Sequence, residues 1–191
     1  RDSVAADPVV VTTPNASGRI DERVAAAGGR TERVALGVLH EGIARERAAG
    51  GDDTEVVFAA EPWKHVHTGF GGWIDAIVSA GLIAALAAKA GGIERLTADV
   101  VERPYRKESV ACPEGAKADA MERIEATLPE QFESTAVDTE YGVRVELEGG
   151  GWVLVRPSGT EPYVRIYAER EGVDSVVETA RAVVETAIES S

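Results

Sequence analysis

The run Val143-Arg144-Val145-Glu146-Leu147-Glu148-Gly149-Gly150-Gly151-Trp152-Val153-Leu154-Val155-Arg156-Pro157-Ser158-Gly159-Thr160-Glu161-Pro162-Tyr163-Val164-Arg165-Ile166-Tyr167-Ala168 decides the fold of the second half of the chain. Val143, Val145 and Leu147 alternate with Arg144 and Glu146, the period of a half-buried strand. Gly149-Gly150-Gly151 closes a hairpin. Residues 152–155 and 163–168 are two further strands, separated by a loop of small and charged residues. Upstream, residues 105–111 and 135–138 read as strands. Residues 116–128 form an amphipathic helix with Ala120, Ile124 and Leu128 on one face, and residues 173–188 a closing helix. Consecutive strands with tight turns predict an antiparallel sheet with helices on one face, an α+β unit.

The first half has a different rhythm. Val9-Val10-Val11-Thr12 is a β-branched strand signal. Turn residues 15–18 follow, with Ser17 a candidate helix N-cap. Ile20, Val24 and Ala27 share a helical face that Gly28-Gly29 terminates. Residues 33–36 read as a second strand, 40–49 as a solvated helix, and 50–53 as a loop. Residues 55–59 form a third strand entering the turn Glu61-Pro62-Trp63-Lys64-His65. Gly69, Gly71 and Gly72 make the next segment pliable. Residues 73–89 then form a long helix, apolar nearly all round and expected to lie buried against a sheet. Residues 93–101 read as one more helix. Strands alternating with helices predict an α/β layered unit. Pro104 marks the boundary, giving domains 1–103 and 104–191.

Composition narrows the partners. In 191 residues, 33 Asp and Glu outweigh 20 Lys and Arg, for a net charge of -13. An excess of acid argues against a nucleic-acid surface and against an anionic membrane. Only four of the cations are lysine, and sixteen are arginine. High acid with little lysine predicts a cytosol of very high salt, where self-repulsion is screened. A GC-rich genome, which also favours Ala, Gly and Arg, is the alternative. The lone Cys112 allows no internal disulfide and no Cys-based zinc site. No segment reads as a signal peptide. Residues 74–90 carry Asp75 and are too short to span a bilayer. A cytoplasmic location is the expectation. Residue 1 is Arg rather than Met, and a fragment of a longer protein is expected.

The loop Arg156-Pro157-Ser158-Gly159-Thr160-Glu161-Pro162 carries the strongest chemistry. Arg156 can grip two phosphate oxygens with its planar fork, and Arg165 can add charge from across the hairpin. Ser158 and Thr160 offer hydroxyls, and Gly159 lets backbone N–H groups approach an anion. An ordinary Pro-punctuated β-turn is the competing reading. His40-Glu41 and His65-Val66-His67 lack a third ligand for a metal, and Asp52-Asp53 reads as a solvated turn. Cys112 lacks a neighbouring His and packs as a small hydrophobe.

Residues 152–162 with 165–169 resemble the C-terminal domain of the α-D-phosphohexomutases, the superfamily of phosphoglucomutase, phosphomannomutase and phosphoglucosamine mutase. Tyr141-Gly142-Val143-Arg144-Val145 is similar to the preceding strand of that family, and Tyr163 stands where many members carry Lys. In the first half, Ala60-Glu61-Pro62-Trp63-Lys64-His65 resembles the family's sugar-reading turn Gly-Glu-x-Ser-Gly-His. Glu61 and His65 keep their places, and Ala60, Trp63 and Lys64 depart from the pattern. Ile74-Asp75-Ala76-Ile77 resembles the Asp-Gly motif at a helix start. The resemblance implies that Arg156, Ser158, Gly159, Thr160 and Arg165 hold a phosphate and that Glu61 binds sugar hydroxyls. Trp63 can stack on a sugar ring, Lys64 can meet a phosphate, and His65 completes the turn.

The resemblance covers the family's third and fourth domains. It places the phosphoserine that passes its phosphoryl group to the sugar, and the Asp-rich Mg2+ loop, in an N-terminal half of the same enzyme. Neither a Ser-His-Asn-Pro nor an Asp-x-Asp-x-Asp motif occurs in this sequence. No catalytic residue and no metal ligand is therefore assigned to this chain. The implied partner is a hexose phosphate. Two other readings stand beside the enzyme fragment. One is a stand-alone module that binds sugar phosphates without turning them over; the other is a purely structural role.

Overall fold

The computed structural model describes residues 6–51 and 53–190, so Asp52 of the 50–53 loop lies outside the described residues. The chain divides into two compact units, one ending at Glu102 and the next beginning at Arg103.

The first unit is built on the sheet order β2-β1-β3-β4. Its strands are β1 (Asp7–Thr12), β2 (Arg30–Arg33), β3 (Thr54–Glu61) and β4 (Lys64–Val66). β1 runs parallel to both β2 and β3, whereas β4 folds back antiparallel on β3. Helices α1 (Arg19–Ala26) and α2 (Leu39–Ala49) supply the crossovers that parallel pairing requires. Val9, Val11, Val34, Leu39, Ile43, Val56, Ala59 and Val66 form the core. Gly42 fits here for a steric reason: an added Cβ would come within 2.5 Å of Val34 Cγ1 and 2.8 Å of Val11 Cγ1.

Several local expectations need correction in this unit. The second strand is residues 30–33, three residues earlier than the apolar run suggested. Arg30-Thr31-Glu32-Arg33 has no hydrophobic residue, and its place is fixed by the ladder to β1 and by ion pairs. Arg30 reaches Asp7 at 2.9 Å and Glu46 at 2.7 Å, and Arg33 reaches Asp21 at 2.7 Å. Bonds from Arg30 first, and Thr54 second, hold the Asp7 carboxyl below its usual range. Val34, just past the strand, enters the core instead. Gly18 rather than Ser17 occupies the N-cap of α1, and the Ser17 hydroxyl accepts from the Arg19 amide at 3.3 Å. α2 is not simply solvated, since Leu39, Gly42, Ile43 and Glu46 are buried.

The largest correction concerns the long apolar helix. It is α3 (Ala76–Ala90), it begins three residues later than read, and Ser79 is its only buried residue. Ile77 is 86% exposed, and Ile83 and Leu86 are also exposed. An all-round apolar pattern states what a helix tolerates as neighbours, not what lies beside it. The start is set by Asp75, whose carboxylate accepts from the Val78 amide at 2.9 Å and is thereby held below its usual pKa range. The following helix α4 (Ile93–Thr97) stops four residues short of the expected end. There Arg19 and Arg23 donate to the carbonyls of Val101 and Asp99 at 2.6 and 2.8 Å and take them out of any helical ladder.

The second unit is a five-stranded antiparallel sheet in the order β5-β9-β8-β7-β6. Its strands are β5 (Tyr105–Ala111), β6 (Ser134–Asp138), β7 (Val143–Leu147), β8 (Trp152–Pro157) and β9 (Tyr163–Glu169). Helices α5 (Lys117–Thr127) and α6 (Val173–Glu189) join one face of the sheet in a single core. It includes Ala120, Ile124 and Leu128 from α5 and its end, Val143, Val145, Val153, Val155, Val164 and Ile166 from the strands, and Val176, Val177, Ala180 and Val184 from α6. Gly149, Gly150 and Gly151 all have positive φ and turn β7 into β8, a conformation that L side chains resist. The architecture is the expected α/β unit followed by an α+β unit. β7 is not half-exposed as its alternation suggested, because Arg144 is buried and stacks over the Trp152 ring at 4.3 Å.

Candidate functional site

The β8–β9 connection places two cations face to face. Arg156 and Arg165 are directly opposed across the antiparallel pair. Like charges in that position repel. Both stand on the sheet face that carries Leu154, Tyr167 and Trp152, away from the α5–α6 core. Arg156 donates Nη1 to the Pro157 carbonyl at 2.9 Å. Arg165 pairs with the Glu161 carboxylate. The Tyr167 side chain first, and Glu161 with it, holds the Arg165 guanidinium charged more firmly than usual, against the cost of burial. The Nε atoms of both arginines are buried and have no hydrogen-bond partner among the described residues. Buried donors normally find acceptors, and leaving one without costs about 1–3 kcal/mol.

Between these arginines the chain makes a compact loop. Ser158 is 3% exposed, and its amide donates to the Tyr163 carbonyl at 2.9 Å. The Tyr163 amide donates to Glu161 at 2.8 Å, and the Cys112 amide ties the Pro162 carbonyl at 2.9 Å. Gly159 and Thr160 are exposed. A Cβ at Gly159 would meet nothing within 4 Å, so packing does not demand glycine there. The connection thus gathers two guanidinium groups, the exposed Thr160 hydroxyl, an open glycine and the buried Ser158 on a braced backbone.

The turn after β3 is built differently. Glu61 pairs with Lys64 across β3 and β4, so Pro62-Trp63 is a two-residue hairpin loop. The sequence reading gave a turn here and missed β4, which is only three residues long. Trp63 has φ 72°, and Pro followed by a left-handed residue is the type II pattern in which Gly is customary. A bulky residue in that region stores on the order of 1–3 kcal/mol of strain, and strained backbone clusters at functional sites. The Trp63 ring is 97% exposed and contributes nothing to the core. Glu61 is only 7% exposed. Its carboxylate accepts from the Gly37 amide at 3.0 Å and from Lys64 Nζ at 2.6 Å.

His65 points into a small polar cluster. The Ser79 hydroxyl donates to the Asp75 carbonyl at 2.8 Å. The same hydroxyl lies 3.2 Å from His65 Nδ1 and 2.7 Å from His67 Nε2, with the direction of each bond set by the ring tautomer. The cluster ties β4 to α3.

Sequence reasoning missed Lys117, Gly37 and Ser79 as supports of these two places. Lys117 donates to the carbonyls of Ser158 at 2.7 Å and Glu161 at 2.8 Å and to Glu114 at 2.6 Å. The one sequence signal for it was the scarcity of lysine. Cys112 is buried, and burial pushes its thiol pKa up. Among the described residues, no group of three or more His, Cys, Asp or Glu could hold a metal ion. No helix among them is long and apolar enough to cross a membrane.

Comparison with known proteins identifies the second unit. Residues 109–186 match the phosphoglucomutase/phosphomannomutase C-terminal domain. The chain is 39% identical over 162 residues to a phosphopentomutase of Thermococcus kodakarensis, a match covering 84% of this chain and 34% of the relative. It is 38% identical over 166 residues to a probable phosphoglucosamine mutase of Methanothermobacter thermautotrophicus, with the same coverage of 84% and 34%. The chain thus spans about a third of the length of the curated relatives it matches. A phosphoglucomutase/phosphomannomutase family protein of Burkholderia thailandensis shares the fold, with TM-score 0.74 and 16% identity over 94% of this chain and 37% of that one. So does the Aspergillus fumigatus N-acetylphosphoglucosamine mutase solved with GlcNAc-6P and magnesium, with TM-score 0.62 and 17% identity over 93% and 41%. The chain belongs to the α-D-phosphohexomutase superfamily, and residues 109–186 are its C-terminal domain.

Proposed function

We propose that this chain is the sugar- and phosphate-holding part of a phosphohexomutase that interconverts hexose 1-phosphate and 6-phosphate. The observation that carries this reading is the opposed pair Arg156 and Arg165, each with a buried, unpartnered Nε, at the base of the Ser158-Gly159-Thr160 loop. A bound phosphate lowers the repulsion between the two cations, adding to the Glu161 carboxylate that already pairs with Arg165. Such a loop reads the phosphate and ignores the carbon that bears it, as an enzyme that takes its substrate in two orientations requires. Glu61 binds sugar hydroxyls, with Trp63 as a ring platform and Lys64 and His65 completing the turn. Phosphoryl transfer through a phosphoserine and a bisphosphate intermediate is assigned to the remainder of the parent enzyme, as is any magnesium. In this reading the 191-residue chain alone turns nothing over.

A pentose phosphate is the second reading of the substrate. It is favoured by the name of the Thermococcus relative and by Trp63 and Lys64, where the hexose family carries Ser and Gly. The test is calorimetric titration of inorganic phosphate and of glucosamine, mannose, glucose and ribose phosphates against wild type, Arg156→Ala and Glu61→Gln. Arg156→Ala should weaken every phosphate ligand by about ten- to a hundredfold, since charge-assisted bonds contribute about 1.5–3 kcal/mol each. Glu61→Gln should weaken sugar phosphates and spare inorganic phosphate. Equal phosphate affinity in wild type and Arg156→Ala removes the site. Mutase turnover by the mass-verified chain would show that a nucleophile lies within it.

A further inference from the structure

We infer that Lys117 is the positioning residue of the phosphate loop, which extends the phosphate reading above and rests on it. Lys117 opens α5, a different element from the two strands that carry the arginines, and is 6% exposed. Its ammonium has three donors, and all three are used: Ser158 O at 2.7 Å, Glu161 O at 2.8 Å and Glu114 Oε2 at 2.6 Å. The first two acceptors are the backbone carbonyls at either end of the Ser158-Gly159-Thr160-Glu161 segment. One buried cation therefore fixes both ends of the segment that would meet the ligand.

The orientation follows from peptide geometry. The Ser158 carbonyl and the Gly159 N–H belong to one planar peptide and point in opposite directions in the trans form, and no cis bond occurs among the described residues. With its carbonyl held by the buried ammonium, this peptide turns the Gly159 N–H away from Lys117, toward the exposed side of the loop. Without the ammonium, two buried carbonyls lose their partner, and the peptide is free to rotate them toward water. That rotation presents a carbonyl dipole, rather than an N–H, to a phosphate. Glu114, 79% exposed in its side chain, balances the charge of the lysine, so the role of Lys117 is orientation rather than net attraction.

Amide hydrogen exchange separates this from a general contribution to folding. The loop reporters are the amides of Ser158 and Tyr163, both bonded within the loop, and the core reporters are those of Val153 and Ile166. In Lys117→Met the loop amides should exchange at least about tenfold faster while the core amides hold, and inorganic phosphate should bind about tenfold more weakly. Lys117→Arg, which keeps a cation in the slot but not a point-like donor, should give a smaller acceleration confined to the same amides. If the methionine variant does not fold, the arginine variant decides by the same ratio of loop to core exchange. Unchanged loop exchange in a folded variant overturns the assignment, as does acceleration shared equally by loop and core. Failure of the wild type to bind phosphate would instead sink the loop's function. The exchange ratio would still show whether Lys117 orders it.

Discussion

The loop after β8 and the turn after β3 handle charge in opposite ways. Around Arg156 and Arg165 the backbone is braced from behind, while buried donors on the side chains are left over. Around Glu61 the carboxylate is already satisfied by Gly37 and Lys64, and the unsettled element is the strained backbone of an exposed Trp63. In the first arrangement one carboxylate, Glu161, faces two opposed guanidinium groups. In the second, any further hydrogen-bond donor must share Glu61 with its resident partners, and the exposed ring offers area rather than charge.

The effect of salt should split the two properties most widely. Screening of a net charge of -13 should strengthen the fold, and relief of about 2 kcal/mol would raise the melting midpoint of a domain of this size by about 10 °C between low and molar KCl. The same screening should weaken phosphate binding. A melting point flat in KCl, with neutral osmolytes as controls, would remove the expectation of a high-salt adaptation.

Removing the carboxylate should then distinguish the two regions by stability. Glu61→Ala orphans the Gly37 amide and should cost about 2 kcal/mol in urea unfolding. Arg156→Ala, which ends a cross-strand repulsion, should stay within about 0.5 kcal/mol of wild type. Equal losses in the two variants would mean that the arginine pair is structural. Asp75→Ala should cost about 1 kcal/mol through loss of the α3 cap, and should loosen the His65–Ser79 contact beside the β3–β4 turn. The carbon shifts of His65 by NMR would report it.

Trp63→Gly tests whether strain is traded for binding. Relief of the left-handed conformation is opposed by the greater freedom of glycine in the unfolded chain, so the net gain in stability should be below about 1 kcal/mol. Sugar-phosphate affinity should nonetheless fall while inorganic phosphate binds as before. A variant that binds sugars normally would leave Trp63 without a role.

The smallest effect is expected at high pH. Burial first, with Tyr167 and Glu169 adding, pushes the Tyr105 hydroxyl up to about 12 from its ordinary 10. The folded state therefore keeps a proton that the unfolded state gives up, and this stabilisation is present below pH 10 and is lost as pH rises towards 12. Tyr105 remains 40% exposed, so the effect is modest. Tyr105→Phe should flatten the decline of stability in that window, as read by unfolding midpoints at successive pH values.

Local pattern was enough for the second unit. Alternation in β7, the glycines at 149–151 and the one-faced apolar spacing of Ala120, Ile124 and Leu128 are short-range signals, and antiparallel neighbours need only short-range turns. It was also enough to mark Arg156-Pro157-Ser158-Gly159-Thr160 as unusual in an acidic chain. Three things were decided only by tertiary structure. β2 has no apolar residue and exists because β1 offers it a ladder and Asp7, Glu46 and Asp21 offer its arginines partners. α3 has apolar residues all round yet buries only Ser79, because its own sequence does not encode what packs beside it. Lys117 lies 41 residues from Ser158, and a single buried ammonium meeting two distant carbonyls leaves no trace in any window of sequence. Periodicity records each segment's preference for a face, whereas pairing between distant polar groups is fixed only when the chain closes on itself and water is excluded from between them.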